Sequence, residues 1–230
     1  MKILTLFLFL IGISFKSNNI IESSKNISSS NIENNKMFSV VVQILNVSVE
    51  QSVKSASSKN GFYSNPRIKI SFPKATNNIK SKLIALGLKK QIDEFEYKMN
   101  LTAEKASNDA LDIFLREIKN LKVSNLKNII EGDKDEATQY LKKNCYVYLY
   151  DSFTPVITKK LDDENVVSMW NLLLNRYNNI PFVKKIEFDL YDYVTNKTID
   201  GIFILMSEYE KNIRQNSNSS KSNTIINFFN

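Results

Sequence analysis

Residues 129–144 read Ile-Ile-Glu-Gly-Asp-Lys-Asp-Glu-Ala-Thr-Gln-Tyr-Leu-Lys-Lys-Asn, and they predict a sharp joint between two helices. Gly132 can take the left-handed conformation that closes the first helix. Asp133, with Glu136 three residues later, has the spacing of a capping box for the second helix. After this cap, apolar residues recur every three or four positions, at Ala137, Tyr140, Leu141, Cys145, Tyr148 and Leu149. The second helix is therefore expected to turn one face to the core.

The same helical periodicity runs through most of the chain after Phe38. A strand over 40–53 is the alternative there, because the segment is rich in valine, a poor helix former. Residues 59–73 break the pattern with two turn signals, Asn60-Gly61 and Asn65-Pro66, and 67–72 alternate like a short extended segment. A segment over 189–213 is apolar on two faces and should be central. We predict an all-α, single-domain multi-helix bundle with one irregular loop or short extended segment near residues 59–73.

The first residues predict export. Lys2 precedes the apolar run 3–13, which has the charge and length of a secretory signal and is too short to span a bilayer comfortably. Residues 18–36 are rich in Ser, Asn and Lys, a composition typical of a flexible leader. We therefore predict a signal peptide at 1–17, a leader at 18–36 and a helical domain at 37–230, exported to the periplasm or beyond and soluble after signal cleavage. An uncleaved anchor is the alternative.

The composition excludes much of the usual catalytic chemistry. The chain has no histidine and one cysteine, so a Ser-His-Asp site, a histidine-bound zinc and an internal disulfide are all excluded. Its five glycines are too far apart for a phosphate-cradling loop. The net charge of +7 includes no run of five like charges, which argues against nucleic acid and is compatible with peripheral contact with an anionic surface. We predict no cofactor and no metal site.

Several short motifs together resemble the bacterial exported family known as domain of unknown function 4197. They occur at 61–73, 99–100, 103–106, 131–140, 153–155, 176–178, 192–195 and 210–214. The resemblance implies an exported helical protein and implies no catalytic residue. The chain departs from the family at Leu101-Thr102, where a basic residue is usual, and at 217–222, where proline and arginine are usual. Any anion site built from those basic residues would be weakened here.

Arginine usage suggests candidate site residues. The abundance of Asn, Ile and Lys suggests an AT-rich genome that replaces arginine by lysine, yet four arginines remain: Arg67, Arg116, Arg176 and Arg214. Arginine offers a planar fork that binds carboxylates or phosphates through two hydrogen bonds, which lysine cannot do. We predict that Arg176 or Arg214 pairs with a carboxylate such as Glu104 or Asp200. Such a pair would be either structural or part of a clamp for the carboxylate or phosphate of a ligand.

The candidate ligand-binding residues are Arg67, Glu104, Arg176, Tyr193, Asp200 and Arg214. We expect a non-catalytic binding protein for an envelope lipid, another amphiphile or a protein partner. The alternative is a hydrolase that uses Glu104 and Asp200 as acid and base on a cell-wall or glycan substrate. An aromatic cavity with an arginine at its mouth would favour binding, whereas two facing carboxylates about 5 to 9 Å apart would favour hydrolysis.

Overall fold

Helices make up most of the described chain. The computed structural model describes residues 18–73 and 77–215, with side chains described for 31–73 and 79–215. The helices are α1 (Asn18–Ala56), α2 (Asn77–Ala85), α3 (Lys89–Asn120), α4 (Leu126–Glu131), α5 (Glu136–Asp163), α6 (Val166–Asn178) and α7 (Leu190–Gln215). No strand occurs in these ranges, and 57–73 is irregular. The prediction of an all-α fold with an irregular segment near 59–73 is therefore confirmed, and a second irregular stretch, 179–189, precedes α7.

The chain divides into two units, Met1–Lys36 and Met37–Asn230. In the first unit the described residues, 18–36, are helical, whereas their composition predicts a flexible leader. The side chains of residues 31–36, the part of this stretch for which side chains are described, are exposed. The predicted signal peptide, 1–17, lies outside the described residues. Among the helices that the structure describes, none combines the length and the apolar character needed to cross a membrane.

The valine-rich part of α1 is helical and not a strand. Val41, Leu45 and Val49 are fully buried at four-residue spacing, and Val40 and Ile44 bury a neighbouring stripe. Burial of this face offsets the low helix propensity of valine, since most helix stability in proteins comes from tertiary packing.

The second unit has one main core, to which α3, α5 and α7 contribute long buried stripes. The last helix, α7, buries Val194, Ile199, Ile202, Phe203 and Met206, whereas Ile204 is 39% exposed, so only part of its apolar surface lies in the core. Stacked and edge-on ring contacts join Phe72, Phe95, Trp170 and Phe188, with centroids 5.4 to 5.8 Å apart. The irregular segment is thereby attached to α3 and α6 through its last aromatic residue.

The joint between α4 and α5 lies where it was predicted, but its chemistry differs. Gly132 has φ −74° and ψ −159°, so the predicted left-handed conformation is wrong. Glycine is required because a Cβ at this position would lie 2.4 Å from the carbonyl oxygen of Asn128. Helix α5 begins at Glu136, and its N-cap residue, Asp135, makes no side-chain capping bond. The predicted capping box of Asp133 and Glu136 is therefore not the device that caps α5.

Candidate functional site

A cleft of about 600 Å³ lies between the irregular segment, α5 and α7. The segment contributes Pro66, Arg67, Ile68, Lys69, Ser71 and Pro73; Lys142 comes from α5; Phe188 precedes α7; and α7 contributes Tyr193, Lys197, Asp200, Gly201 and Ile204. Four of these residues are cationic and one is anionic, while most of the others are apolar. We call this surface the basic cleft.

Two of the four cations in the basic cleft have a carboxylate partner. The Nζ of Lys142 lies 2.7 Å from Oδ1 of Asp200, and both side chains are a little over one-third exposed. The guanidinium of Arg67, which is 60% exposed at the rim, pairs with Glu208. These pairs leave Arg67 and Lys142 with much of their charge already balanced.

The other two cations, Lys69 and Lys197, form no ion pair with any carboxylate in the part of the chain that the structure describes. Their ammonium groups lie against rings instead: Nζ of Lys69 is 3.9 Å from the ring centroid of Tyr63, and Nζ of Lys197 is 5.8 Å from that of Tyr193. A cation over an aromatic face keeps its full charge. The lining of the basic cleft therefore includes two lysines that have no counter-ion among the described residues.

Tyr193 joins the two walls of the basic cleft. Its hydroxyl donates a hydrogen bond of 3.0 Å to the carbonyl oxygen of Ser71, across 122 residues of sequence. Burial raises the pKa of Tyr193, and the negative charge of Glu96 acts in the same direction. The phenol is therefore held in the neutral, donating form that this hydrogen bond requires.

Glu104 holds the start of the irregular segment from behind the cleft. Its carboxylate is 5% exposed. It accepts hydrogen bonds from the backbone N–H groups of Asn60, Phe62 and Tyr63, at 3.2, 3.2 and 3.3 Å. A turn that lacks regular backbone pairing needs such acceptors, because buried N–H groups are costly to leave unpaired. Glu104 thus positions the segment and does not line the basic cleft.

Asn100 and Glu96 hold the end of the same segment. The side-chain amide of Asn100 accepts from the N–H of Ile70 and donates to its carbonyl, both at 2.8 Å, as a neighbouring strand would. Glu96 accepts from the N–H of Phe72 at 2.9 Å. Since α3 supplies these acceptors one turn apart, the segment runs along α3 with its alternate side chains directed to opposite sides. Ile70 and Phe72 are buried, whereas Arg67 and Lys69 reach the cleft.

Gly201 allows the irregular segment to approach α7. A Cβ at this position would lie 2.8 Å from Cε1 of Phe62 and 3.3 Å from Cβ of Ile68. Phe62 is fully buried, so its ring has little room to move aside. The glycine is therefore part of the reason that residues of the segment and of α7 line the same cleft.

A second polar cluster, away from the basic cleft, caps α5. The carboxylate of Glu210 is fully buried. It accepts from the backbone N–H groups of Ala137 and Thr138, at 3.0 and 2.7 Å, and from the Thr138 hydroxyl at 2.6 Å. These N–H groups belong to the first turn of α5, where they have no partner within the helix. A residue of α7 therefore does what the capping box was predicted to do.

Arg214 completes this cluster. Its Nη2 lies 2.8 Å from Oε1 of Glu210. The same guanidinium donates to the carbonyl oxygens of Ile129 and Ile130, at 2.9 and 2.8 Å. These carbonyls belong to the end of α4, where they also lack helical partners. The planar fork of arginine therefore serves one carboxylate and two carbonyls at once, as a structural ion pair.

The predicted site residues separate into three groups. Arg67, Tyr193 and Asp200 meet in the basic cleft. Glu104 and Arg214 are structural, as described above. Arg176 is exposed on α6, where it lines a shallow surface depression and forms no ion pair with a described residue.

Arg214 pairs with a buried carboxylate, as predicted, but the suggested partners, Glu104 and Asp200, are wrong. Arg214 pairs with Glu210, four residues before it on the same helix, and Asp200 pairs with Lys142. Glu104 is satisfied by backbone N–H groups and leaves no place for a guanidinium.

Three functional candidates, Lys69, Lys142 and Lys197, are not among the predicted site residues, because that prediction rested on arginine. The alternation of 67–72 could have placed Lys69 beside Arg67, since residues two apart in an extended segment share a side. For Lys142 and Lys197 the lysine-rich sequence carries no such signal.

The chemistry open to the basic cleft is recognition of an anion. Among its lining residues only Asp200 has a carboxylate, so the two facing carboxylates of a glycosidase are not assembled here. No group of three or more His, Cys, Asp or Glu suited to a metal ion occurs within the residues that the structure describes.

Fold and cleft together define a class of helical protein in which buried polar side chains hold an irregular cationic segment against a central helix. The chain belongs to the family described as a protein of unknown function, DUF4197, whose model matches residues 31–230. This confirms the resemblance carried by the short motifs. Searches of curated proteins and of solved structures gave no match.

Proposed function

We propose that this protein is a non-catalytic binding protein that holds an acidic amphiphile of the cell envelope in the basic cleft. The observation that carries the proposal is the meeting of cationic and apolar side chains on one concave surface. Phe188 and Tyr193 supply aromatic surface, and Arg67 stands at the rim. Aromatic side chains with an arginine at the mouth of the cavity are the combination expected for binding. The volume of about 600 Å³ also suits a small ligand, since such sites usually measure about 300 to 1,000 Å³.

The charge of the cleft supports an acidic ligand. Its lining residues carry four positive charges and one negative charge. Like-signed charges along a concave wall raise the local concentration of oppositely charged molecules and speed their association. A neutral ligand would gain nothing from this arrangement, and a cationic one would be repelled.

Binding is better supported than hydrolysis. General acid and base catalysis on a glycan requires two carboxylates within reach of one bond. Asp200 lies in the basic cleft with its charge paired to Lys142, and Glu104 is occupied by three backbone N–H groups behind it. Neither residue is placed to share a substrate with the other.

We infer a location outside the cytoplasm from the sequence and from the family resemblance. The run 3–13 after Lys2 supports export through a secretory signal. An exported binding protein would meet acidic amphiphiles at the membrane surface or in the periplasm.

The test is to isolate the full chain under gentle conditions and compare its native and denatured masses. We expect an extra mass in the native state that is released by organic solvent. Lys142→Glu should lose it, because the substitution reverses a charge in the cleft. Lys143→Glu is the matched control, since Lys143 is exposed on the same helix and does not line the cleft.

A dansyl-labelled fatty acid provides a second measurement if no ligand copurifies. Its fluorescence should rise on addition of the wild-type chain and of Lys143→Glu, and not on addition of Lys142→Glu. No extra mass together with no fluorescence change would refute the proposed function.

A further inference from the structure

We infer that the acidic group of the ligand is a phosphate monoester, bound by Lys69 and Lys197. This inference rests on the proposed function and names the chemistry of its ligand. The two lysines belong to different walls of the basic cleft, one in the irregular segment and one on α7. A group that contacts both must lie in the cleft between them.

The charges of the cleft favour a phosphate monoester. Asp200 and Glu208 already pair with Lys142 and Arg67, so the ligand faces two remaining cations, Lys69 and Lys197. A phosphate monoester carries about −1.5 to −2 charges at pH 7, which balances both. A carboxylate or a phosphate diester carries a single charge and would leave one lysine without a counter-ion.

The hydrogen-bond donors of the two lysines favour the same group. A lysine ammonium has three donors and no acceptor, so two lysines require a partner with several acceptor oxygens. The terminal oxygens of a phosphate monoester meet this need from more than one direction, and lysine binds phosphate as a point charge. The two oxygens of a carboxylate lie in one plane and suit the fork of arginine better. The one arginine that lines the cleft, Arg67, is already paired with Glu208.

The cleft also has an apolar lining, which the rest of the ligand would cover. Phe188 and Ile204 line the same cleft, and Ile204 is 39% exposed. An apolar group attached to the phosphate would cover this surface. The same phosphate chemistry could belong to a lipid headgroup such as phosphatidic acid or to free phosphate, and the apolar lining favours the lipid.

Calorimetric titration of the full chain with three probes tests the inference. The probes are dodecyl phosphate, dodecanoate and inorganic phosphate, the first two below their micellar concentrations. We expect dodecyl phosphate to bind about tenfold more tightly than dodecanoate, because it places a second charge beside a second lysine. Inorganic phosphate should bind more weakly than dodecyl phosphate, because it leaves Phe188 and Ile204 uncovered.

The outcomes separate the inference from the proposed function. If dodecanoate binds as tightly as dodecyl phosphate, the phosphate inference is overturned and the proposed function stands. If inorganic phosphate binds as tightly as dodecyl phosphate, the ligand is free phosphate and the amphiphile proposal is overturned. If none of the three probes binds, both proposals fail.

Two double variants assign the effect to the named lysines. Lys69→Gln with Lys197→Gln should reduce the affinity for dodecyl phosphate to that for dodecanoate. The control, Lys90→Gln with Lys143→Gln, removes two exposed lysines outside the cleft and should keep the tenfold ratio. Circular dichroism of both variants checks that they are folded. A loss of the ratio in the control alone, or in both folded variants equally, would refute the assignment.

The pH dependence gives an independent readout. An alkyl phosphate gains its second charge with a pKa of about 6, so its affinity should rise between about pH 6 and pH 8. Arg67, Lys69, Lys142, Lys197, Asp200 and Tyr193 face the ligand, and any titration of these groups acts on both dodecyl ligands. The ratio of the two affinities therefore reports the phosphate alone. A ratio that does not change with pH would contradict binding of the doubly charged form.

Discussion

Replacing Arg214 with lysine tests how much the buried fork contributes to stability. The guanidinium contacts Glu210 and the carbonyl oxygens of Ile129 and Ile130, and its side chain is only 8% exposed. A lysine keeps the positive charge and can still pair with Glu210. Its single ammonium cannot occupy the positions of the three guanidinium nitrogens. One or both carbonyls at the end of α4 should therefore lose a charged donor.

The magnitude follows from the hydrogen bonds lost. A hydrogen bond to a charged group contributes about 1.5 to 3 kcal/mol. Water can reach part of this nearly buried site and replace some of that loss. We therefore expect Arg214→Lys to lower the free energy of unfolding by about 2 to 3 kcal/mol. For a domain of this size, each kcal/mol lowers the melting temperature by about 2 to 4 °C, so the expected shift is about 4 to 12 °C.

Thermal melts followed by circular dichroism provide the assay, with Arg176→Lys as the control. Arg176 is also an arginine near a helix end, but it is exposed and has no ion pair with a described residue. Its replacement should change stability by less than about 0.5 kcal/mol. Equal melting temperatures for Arg214→Lys and the wild-type chain would refute the structural role of this ion pair.

Three further predictions concern single buried groups. Glu104→Gln should lower the free energy of unfolding by about 1 to 3 kcal/mol, because an amide cannot accept from all three N–H groups. Hydrogen exchange at residues 60–63 should become faster, and unchanged exchange there would contradict the anchoring role of Glu104. Gly201→Ala should lower the free energy of unfolding by about 1 to 3 kcal/mol, because the new Cβ would lie too close to the ring of Phe62. A thermal melt measures this change, and an unchanged melting temperature would show that the ring moves aside without loss of stability. Burial raises the pKa of the Cys145 thiol to about 11. Iodoacetamide at about pH 8 should therefore alkylate the folded chain far more slowly than the urea-unfolded chain, because the thiolate is the reactive form. Equal rates would contradict the burial of this thiol.

Local patterns predicted the helices because each helix presents a repeating apolar face, and that face is visible in a short window of sequence. In the stripe predicted after Gly132, Ala137, Leu141, Cys145 and Leu149 are buried, whereas Tyr148 is 63% exposed. The cap of α5 is different, because Glu210 lies 73 residues beyond the N–H group of Ala137 that it binds. A local motif, Asp133 with Glu136, offered a plausible but incorrect alternative.

The candidate site was predicted only in part for the same reason. Arg67, Tyr193 and Asp200 were identified separately from residue type and motif, and nothing in their spacing showed that they share a surface with Lys142 and Lys197. Their meeting depends on side chains of α3 that hold the irregular segment and on a glycine of α7 that lets it approach. Both are contacts between distant parts of the chain, which hydrophobic periodicity does not encode.

The motifs that carry the family resemblance contact one another in the fold, and these contacts indicate a structural role. Segment 61–73 is held by Asn100 and Glu104 of the motifs at 99–100 and 103–106, and segment 131–140 is capped by the motif at 210–214. Each pair joins unpaired backbone groups to buried polar side chains, which is a requirement of folding and not of chemistry. Lys69 and Lys197 of the basic cleft form no such contact and no ion pair with a described residue, so the proposed function rests on the charges of these two lysines.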